Sequence, residues 1–157
     1  ILNVKNKKIK KTMELFTGIK HRLQFVKSIN GSSYFNDSKA TNISSVIAAI
    51  NSFNSPIILL LGGKNKNSDF RLLLPHTKRH VKHIVSFGEA GGEIATAIGD
   101  AVRLDITSSL NQAVASAHKI ASPGDIILMS PGCASFDEFK NFEDRGEKFI
   151  KMVNELK

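Results

Sequence analysis

The chain has no tryptophan, one tyrosine, one cysteine and four prolines in 157 residues. With Tyr34 as the lone tyrosine and no interleaving of basic and aromatic residues, a base-stacking platform for nucleic acid is poorly supported. A single cysteine, Cys133, excludes an internal disulfide framework and a cysteine-based zinc site. No apolar run approaches the length that crosses a bilayer, and the first residues lack the apolar stretch of a secretory signal. A cytosolic protein is the simplest reading. Acids are in deficit as well: 14 Asp and Glu stand against 22 Lys and Arg, a formal net charge of +8. Lys5, Lys7, Lys8, Lys10 and Lys11 crowd the first dozen residues. Such a run can contact nucleic acid, but it equally describes a solvated helix face or a frayed end.

What is present is a core. At 41% hydrophobic, the chain can build one domain. Residues 1 to about 19 read as a basic helix ending near Gly18. Arg22 to Ile29 and Ser32 to Phe35 read as a hairpin, because Asn30-Gly31 suits the positive φ angles of a type I′ turn. Ile43, Val46, Ile47, Ile50 and Phe53 recur at helical spacing, with Thr41 or Asn42 as cap. Ile57 to Leu61 and Ile126 to Met129 are unbroken apolar runs, as in strands buried on both faces. Between them the pattern predicts a short helix capped by Asp69 and ended or kinked by Pro75, and a strand from His83 to Phe87. An alanine-rich helix through Ile98 and a short strand from Ala101 to Leu104 follow. A helix capped by Thr107 or Ser108 leads to the second apolar run, and a last helix carries the stripe Phe149, Ile150, Val153, Leu156. Alternating strands and helices predict a Rossmann-like α/β domain: a mostly parallel sheet, an antiparallel edge hairpin, and helices on both faces.

The densest chemistry is Asn36-Asp37-Ser38-Lys39-Ala40-Thr41-Asn42, where a strand delivers the chain to a helix N-terminus. Backbone N–H groups at such a turn favour anions, and a lysine adds a full charge. Taken alone, the segment is equally an ordinary capping loop. Two further loops belong at the same sheet edge, where open α/β sheets bind ligands. One is Gly62-Gly63-Lys64-Asn65-Lys66-Asn67-Ser68-Asp69-Phe70, the other Ser130-Pro131-Gly132-Cys133-Ala134-Ser135-Phe136-Asp137-Glu138-Phe139 leading to Asn141-Phe142-Glu143.

In this order and spacing, with Phe16-Thr17-Gly18, His21-Arg22 and the closing Lys140-Asn141-Phe142-Glu143, Arg145-Gly146 and Phe149, the chain resembles the C-terminal domain of the Mur ligases. The Asp-Ser-Lys-Ala-Thr-Asn form of the first loop points to the branch that adds D-glutamate to UDP-N-acetylmuramoyl-L-alanine in cytoplasmic peptidoglycan synthesis. The resemblance implies ATP and Mg2+ as requirements of a full-length, three-domain enzyme. The P-loop, the magnesium ligands and the uridine site would lie on the other two domains, since this chain has no Gly-x-x-x-x-Gly-Lys-Ser/Thr stretch. It further implies that residues 20–157 are the D-glutamate-binding domain and residues 1–19 its connection to a central domain. The isolated domain is then expected to be inactive, with no cofactor bound on its own and no nucleic-acid or membrane partner.

By the same resemblance Thr41, Lys66, Ser135 and the backbone N–H of Phe142 hold the D-glutamate carboxylates. Arg22 and Asp37 contact the nucleotide, and Lys39 lies near ligand phosphates or carboxylates. His21 and Asn36 are possible supports. Lys64, beside Lys66, departs from the expected pattern and leaves open which lysine reaches the ligand.

Three other signals weigh less. Gly88-Glu89-Ala90-Gly91-Gly92 lacks dinucleotide-fingerprint spacing. His76, His80 and His83 share helical spacing, but Pro75 interrupts the helix and Lys78, Arg79 and Lys82 repel a cation. Cys133 has no evident histidine partner and reads as a small buried thiol. The competing interpretation is a stand-alone basic Rossmann-like module for nucleic acid or a protein partner.

Overall fold

The computed structural model describes residues 18–157 together with the isolated positions Lys8 and Lys10. The expectation of a basic helix ending near Gly18 therefore falls on residues outside those described. The elements run β1 (Gln24–Ile29), β2 (Ser32–Asn36), α1 (Ile43–Ile50), β3 (Ile57–Gly62), α2 (Leu74–His80) and β4 (Val81–Phe87). They continue through α3 (Gly91–Ile98), β5 (Leu104–Ile106), α4 (Leu110–Ile120), β6 (Ile126–Gly132) and α5 (Phe142–Glu155). The sheet order is β1-β2-β6-β3-β4-β5. Among the strands of the described residues, β1 and β2 pair antiparallel and every other strand pairing is parallel. At the hairpin turn Asn30 (φ 51°) and Gly31 (φ 81°) both take positive φ, as a type I′ turn requires.

Side chains alternate across the strands, so β3 and β6 feed two cores at once. Ile57, Leu59, Leu61, Ile126 and Leu128 face α1 and α3 with Val46, Ile50 and Ile94. Ile58, Leu60, Ile127 and Met129 face α4 and α5 with Leu110, Val114, Phe149 and Val153. Ile58, Leu60, Ile84, Val85, Ile127 and Met129 are all fully buried, as their apolar runs led us to expect. Each such aliphatic side chain contributes about 1.5–3 kcal/mol by leaving water.

The topology places the site. The chain leaves β2 for α1 on one face and leaves β6 for α5 on the other, so a crevice opens between the ends of these neighbouring strands. β2 stops first, with Asn36 opposite Met129, while β3, β4 and β6 run on to the level where Gly62 lies opposite both Gly132 and Phe87.

Two local expectations are corrected. The short strand is Leu104–Ile106, not Ala101–Leu104, because the stretch before it forms a 3-10 turn, Gly99–Ala101. Ser109 caps α4, its side chain accepting from Gln112 N, while Thr107 donates its hydroxyl to Ser86 O instead. As expected, Asp69 caps a short helix that stops just before Pro75, the 3-10 turn Phe70–Leu73; Pro75 then stands in the first turn of α2, where its missing N–H costs nothing.

Candidate functional site at the crevice between β2 and β6

Three loops are stitched together by backbone hydrogen bonds at the carboxyl ends of β2, β6 and β3. Asp37 N donates to Met129 O at 2.8 Å, and Gly132 N donates to Ala40 O at 2.9 Å. Lys64 and Ala134 exchange N–H···O bonds of 2.9 and 3.0 Å, joining the second loop to the third. This approach requires Gly63: a Cβ there would overlap the Ala134 carbonyl oxygen and stand 3.1 Å from Arg145 Nη1.

Beneath the loops lies a guanidinium to which sequence reasoning assigned no role. Arg145 is wholly buried. Its Nη1 and Nη2 each donate to Cys133 O at 3.1 Å, Nη2 also donates to Ser38 O at 2.9 Å, and Nε donates to Ser38 Oγ at 3.0 Å. Ser38 Oγ in turn donates to Phe142 O at 2.7 Å. One rigid fork thus ties the first loop, the third loop and the start of α5. Burial pulls the Arg145 pKa down to about 10, with nearby Asp137 and Glu138 opposing, so it is charged at neutral pH. Among the described residues no carboxylate meets it at ion-pair distance. The available signal was its spacing, four residues before Phe149 and eight before Val153, which puts a charge on the buried stripe of α5.

His21 and Asn36 form a second brace. Asn36 Oδ1 accepts from Ser38 N at 3.1 Å, which directs Nδ2 at His21 Nδ1, 3.0 Å away. Since Nδ2 only donates, Nδ1 accepts and the imidazole proton sits on Nε2, facing Glu147 Oε1 at 3.6 Å. His21 O also accepts from Lys39 N at 3.0 Å.

Asp37 is nearly buried, and its carboxylate is held at both oxygens. Leu23 N donates to Oδ1 at 3.2 Å and Ser130 Oγ donates to Oδ2 at 2.8 Å. Burial raises its pKa, while Ser130, Leu23 N and the charge of Arg22 pull the other way. Asp37 borders a groove of about 350 Å³ together with Arg22 and Lys39, between the segment before β1 and the outer face of α1.

The remaining sequence candidates lie on the loops that follow these strand ends. Thr41 is half-buried, and Asn42 performs the capping, accepting from Ser45 N at 2.9 Å. Lys64 meets Glu89 at 3.7 Å, whereas Lys66 Nζ lies over the Phe136 ring, 5.5 Å from its centroid. Ser135 is buried at 2% exposure, yet its hydroxyl has no hydrogen-bond partner among the described residues. The same holds for the side chains of Thr41 and Lys66. Phe142 is the first residue of α5, so its N–H lies outside the helical ladder, and Asn141 caps through Asp144 N at 2.7 Å.

A fourth loop joins through Asp137, also unforeseen: its Oδ2 accepts from Glu89 N at 3.2 Å, and its buried Oδ1 has no partner among the described residues. Burial pushes the Cys133 thiol up to about 12, which leaves it protonated and unreactive. The histidine spacing is broken because β4 begins at Val81, and His83 Nε2 lies 3.0 Å from Asp105 Oδ2.

A protein-family model described as Mur ligase, glutamate ligase domain matches residues 21–133. The chain belongs to this family. A UDP-N-acetylmuramoylalanine–D-glutamate ligase of Chlamydia caviae is 44% identical over 156 residues, spanning 99% of this chain and 37% of that protein. The Bacillus subtilis protein of the same name is 43% identical, spanning 97% of this chain and 34% of its own length. The chain thus spans about a third of the curated relatives it matches. A bifunctional folylpolyglutamate synthase/dihydrofolate synthase from Yersinia pestis, crystallised with AMPPNP and a Mn ion, superposes with a TM-score of 0.67 at 15% identity. That superposition covers 97% of this chain and 35% of the other, and at such identity it speaks to the fold of this Mur ligase domain. The reading as a stand-alone module for nucleic acid or a protein partner finds no support in these likenesses. No helix among the described residues is long and apolar enough to cross a membrane.

Proposed function

We propose that this Mur ligase domain is the C-terminal, amino-acid-binding part of an ATP-dependent ligase that joins D-glutamate to UDP-N-acetylmuramoyl-L-alanine in cytoplasmic peptidoglycan synthesis. The observation that carries the reading is the rim of the crevice. Thr41, Lys66 and Ser135 present a cation and two hydroxyls with no partner among the described residues, on loops whose other polar groups are largely engaged. Such a set suits two carboxylates: lysine supplies charge, hydroxyls give directed hydrogen bonds, and the Phe142 N–H fixes orientation. Lys64 is engaged by Glu89, which favours Lys66 as the ligand lysine.

In this reading ATP phosphorylates the carboxylate of UDP-N-acetylmuramoyl-L-alanine, releasing ADP. The D-glutamate amine attacks the acyl phosphate carbonyl, loses a proton, and the tetrahedral intermediate expels phosphate as the amide forms. This chain's share is positioning: held by both carboxylates, D-glutamate has its amine as the free reactive end. The groove with Arg22, Lys39 and Asp37 fits an anionic nucleotide, the cations facing phosphates and the carboxylate accepting from ribose hydroxyls. One carboxylate between two cations is a poor magnesium ligand set, so the ion accompanying ATP is assigned to residues outside this chain. Residues 20–157 form the binding domain and residues 1–19 its connection to the rest of the enzyme.

The test is phosphate release by the full-length protein with ATP and UDP-N-acetylmuramoyl-L-alanine. Release that depends on D-glutamate, and that L-glutamate and other D-amino acids do not replace, supports the reading. Equal turnover with another amino acid refutes it.

A further inference from the structure

Three lysines elsewhere on the surface meet acids: Lys20 and Glu147 at 3.9 Å, Lys82 and Asp125 at 2.7 Å, Lys151 and Glu155 at 3.9 Å. Two lysines of the site loops are held by aromatic rings instead. Lys39 Nζ sits over the Phe142 ring and Lys66 Nζ over the Phe136 ring, each 5.5 Å from the centroid. Among the described residues neither ammonium has an acid at ion-pair distance. The difference matters chemically. A carboxylate partner would neutralise the lysine and compete with any anionic ligand. The negative face of a ring attracts an ammonium without adding net charge, so the ammonium is held in place with its charge still available.

Phe136 is an odd residue to find there on packing grounds. It is 63% exposed, the most exposed of the large apolar side chains among the described residues, and it belongs to neither core cluster. It follows Ser135 directly, so its ring stands at the rim rather than under it. Core stability does not account for it, whereas the position of Lys66 does.

We propose that Phe136 is a positioning residue: its ring holds the Lys66 ammonium at the crevice mouth, unneutralised, for a substrate carboxylate. This rests on the assignment of Lys66 to D-glutamate, and the experiment separates the two. Ring-current shifts of the Lys66 ε-methylene protons in this chain, with no ligand added, report the contact itself. They move upfield in the wild type, persist in Phe136→Tyr, and vanish in Phe136→Leu. In the full-length enzyme, Phe136→Leu raises KM for D-glutamate about two- to fivefold, the effect of an exposed cation–π contact. It leaves kcat and KM for ATP unchanged, and Phe136→Tyr restores the wild-type KM. In a Lys66→Ala background, Phe136→Leu has no further effect on KM.

Absence of the upfield shift in the wild type overturns the proposal, as does a Leu variant with unaltered KM for D-glutamate. A Leu variant whose KM rises equally for D-glutamate and ATP also overturns it, because that marks a general loop disturbance. A Lys66→Ala enzyme with unchanged KM for D-glutamate refutes the underlying assignment instead, whatever the ring-current result.

Discussion

Gly146→Ala separates local from tertiary control within α5. By helix propensity alone, alanine is better than glycine there by about 0.8–1.0 kcal/mol. The added Cβ, however, would overlap His21 Nδ1 and stand 2.8 Å from Cε1 and 3.0 Å from Cγ. His21 is 4% exposed, and the ring cannot swing aside without losing the Asn36 hydrogen bond that braces the first loop. Overpacking costs about 1–3 kcal/mol, and the hydrogen bond is worth about 0.5–1.5 kcal/mol. Set against the propensity gain, the substitution destabilises by about 1–3 kcal/mol. Removing the ring should reverse the sign. In a His21→Ala background, Gly146→Ala stabilises by up to about 1 kcal/mol. Urea midpoints of the four chains decide it. A Gly146→Ala chain more stable than wild type, or a penalty that persists without His21, would refute the packing argument.

Other substitutions probe the site's electrostatics and its knot. Because burial holds the Asp37 pKa above 3.8, its contribution is fully present in acid and is lost as pH rises through the folded value. Asp37→Asn should therefore gain stability relative to wild type between pH 3 and pH 7, read from pH-dependent urea midpoints; a gain on acidification would contradict it. Arg145→Met leaves the Cys133 and Ser38 carbonyls without their donor and should cost about 2–5 kcal/mol, with Arg145→Lys intermediate. Thermal unfolding checks this, and a loss below about 1 kcal/mol would remove Arg145 from the framework. Cys133, buried and held near a pKa of about 12, should react with a disulfide reagent only at the rate of unfolding. Fast labelling of the native protein would contradict its burial.

The elements that sequence conveys well are those whose environment is uniform. Ile57–Leu61 and Ile126–Met129 are apolar throughout because helices cover both faces, and both proved to be central strands. β5 was placed three residues early because it is a half-exposed edge: Asp105 and Ile106 face solvent and leave no apolar signature. Thr107 looks like a cap from sequence alone, but both its N–H and its hydroxyl donate to Ser86 O, 21 residues away. The three loops were legible as motifs, and parallel strands had to deliver them to one edge. What joins them was not: three of the four Arg145 hydrogen bonds go to backbone carbonyls of Ser38 and Cys133, which no side-chain pattern encodes. Asp137 escaped for the same reason, since it accepts from the backbone of a loop 48 residues earlier.

The central claim, that Lys66 rather than Lys64 meets D-glutamate at this crevice, is tested most directly by steady-state kinetics of the full-length enzyme. Removing one partner of a desolvated charge pair costs at least about 2 kcal/mol, so Lys66→Ala should raise KM for D-glutamate at least about 30-fold. KM for ATP should hold, and Lys64→Ala, which breaks only an exposed pair with Glu89, should change KM for D-glutamate less than about fivefold. The reverse ranking, or equal small effects from both lysines, would contradict the account.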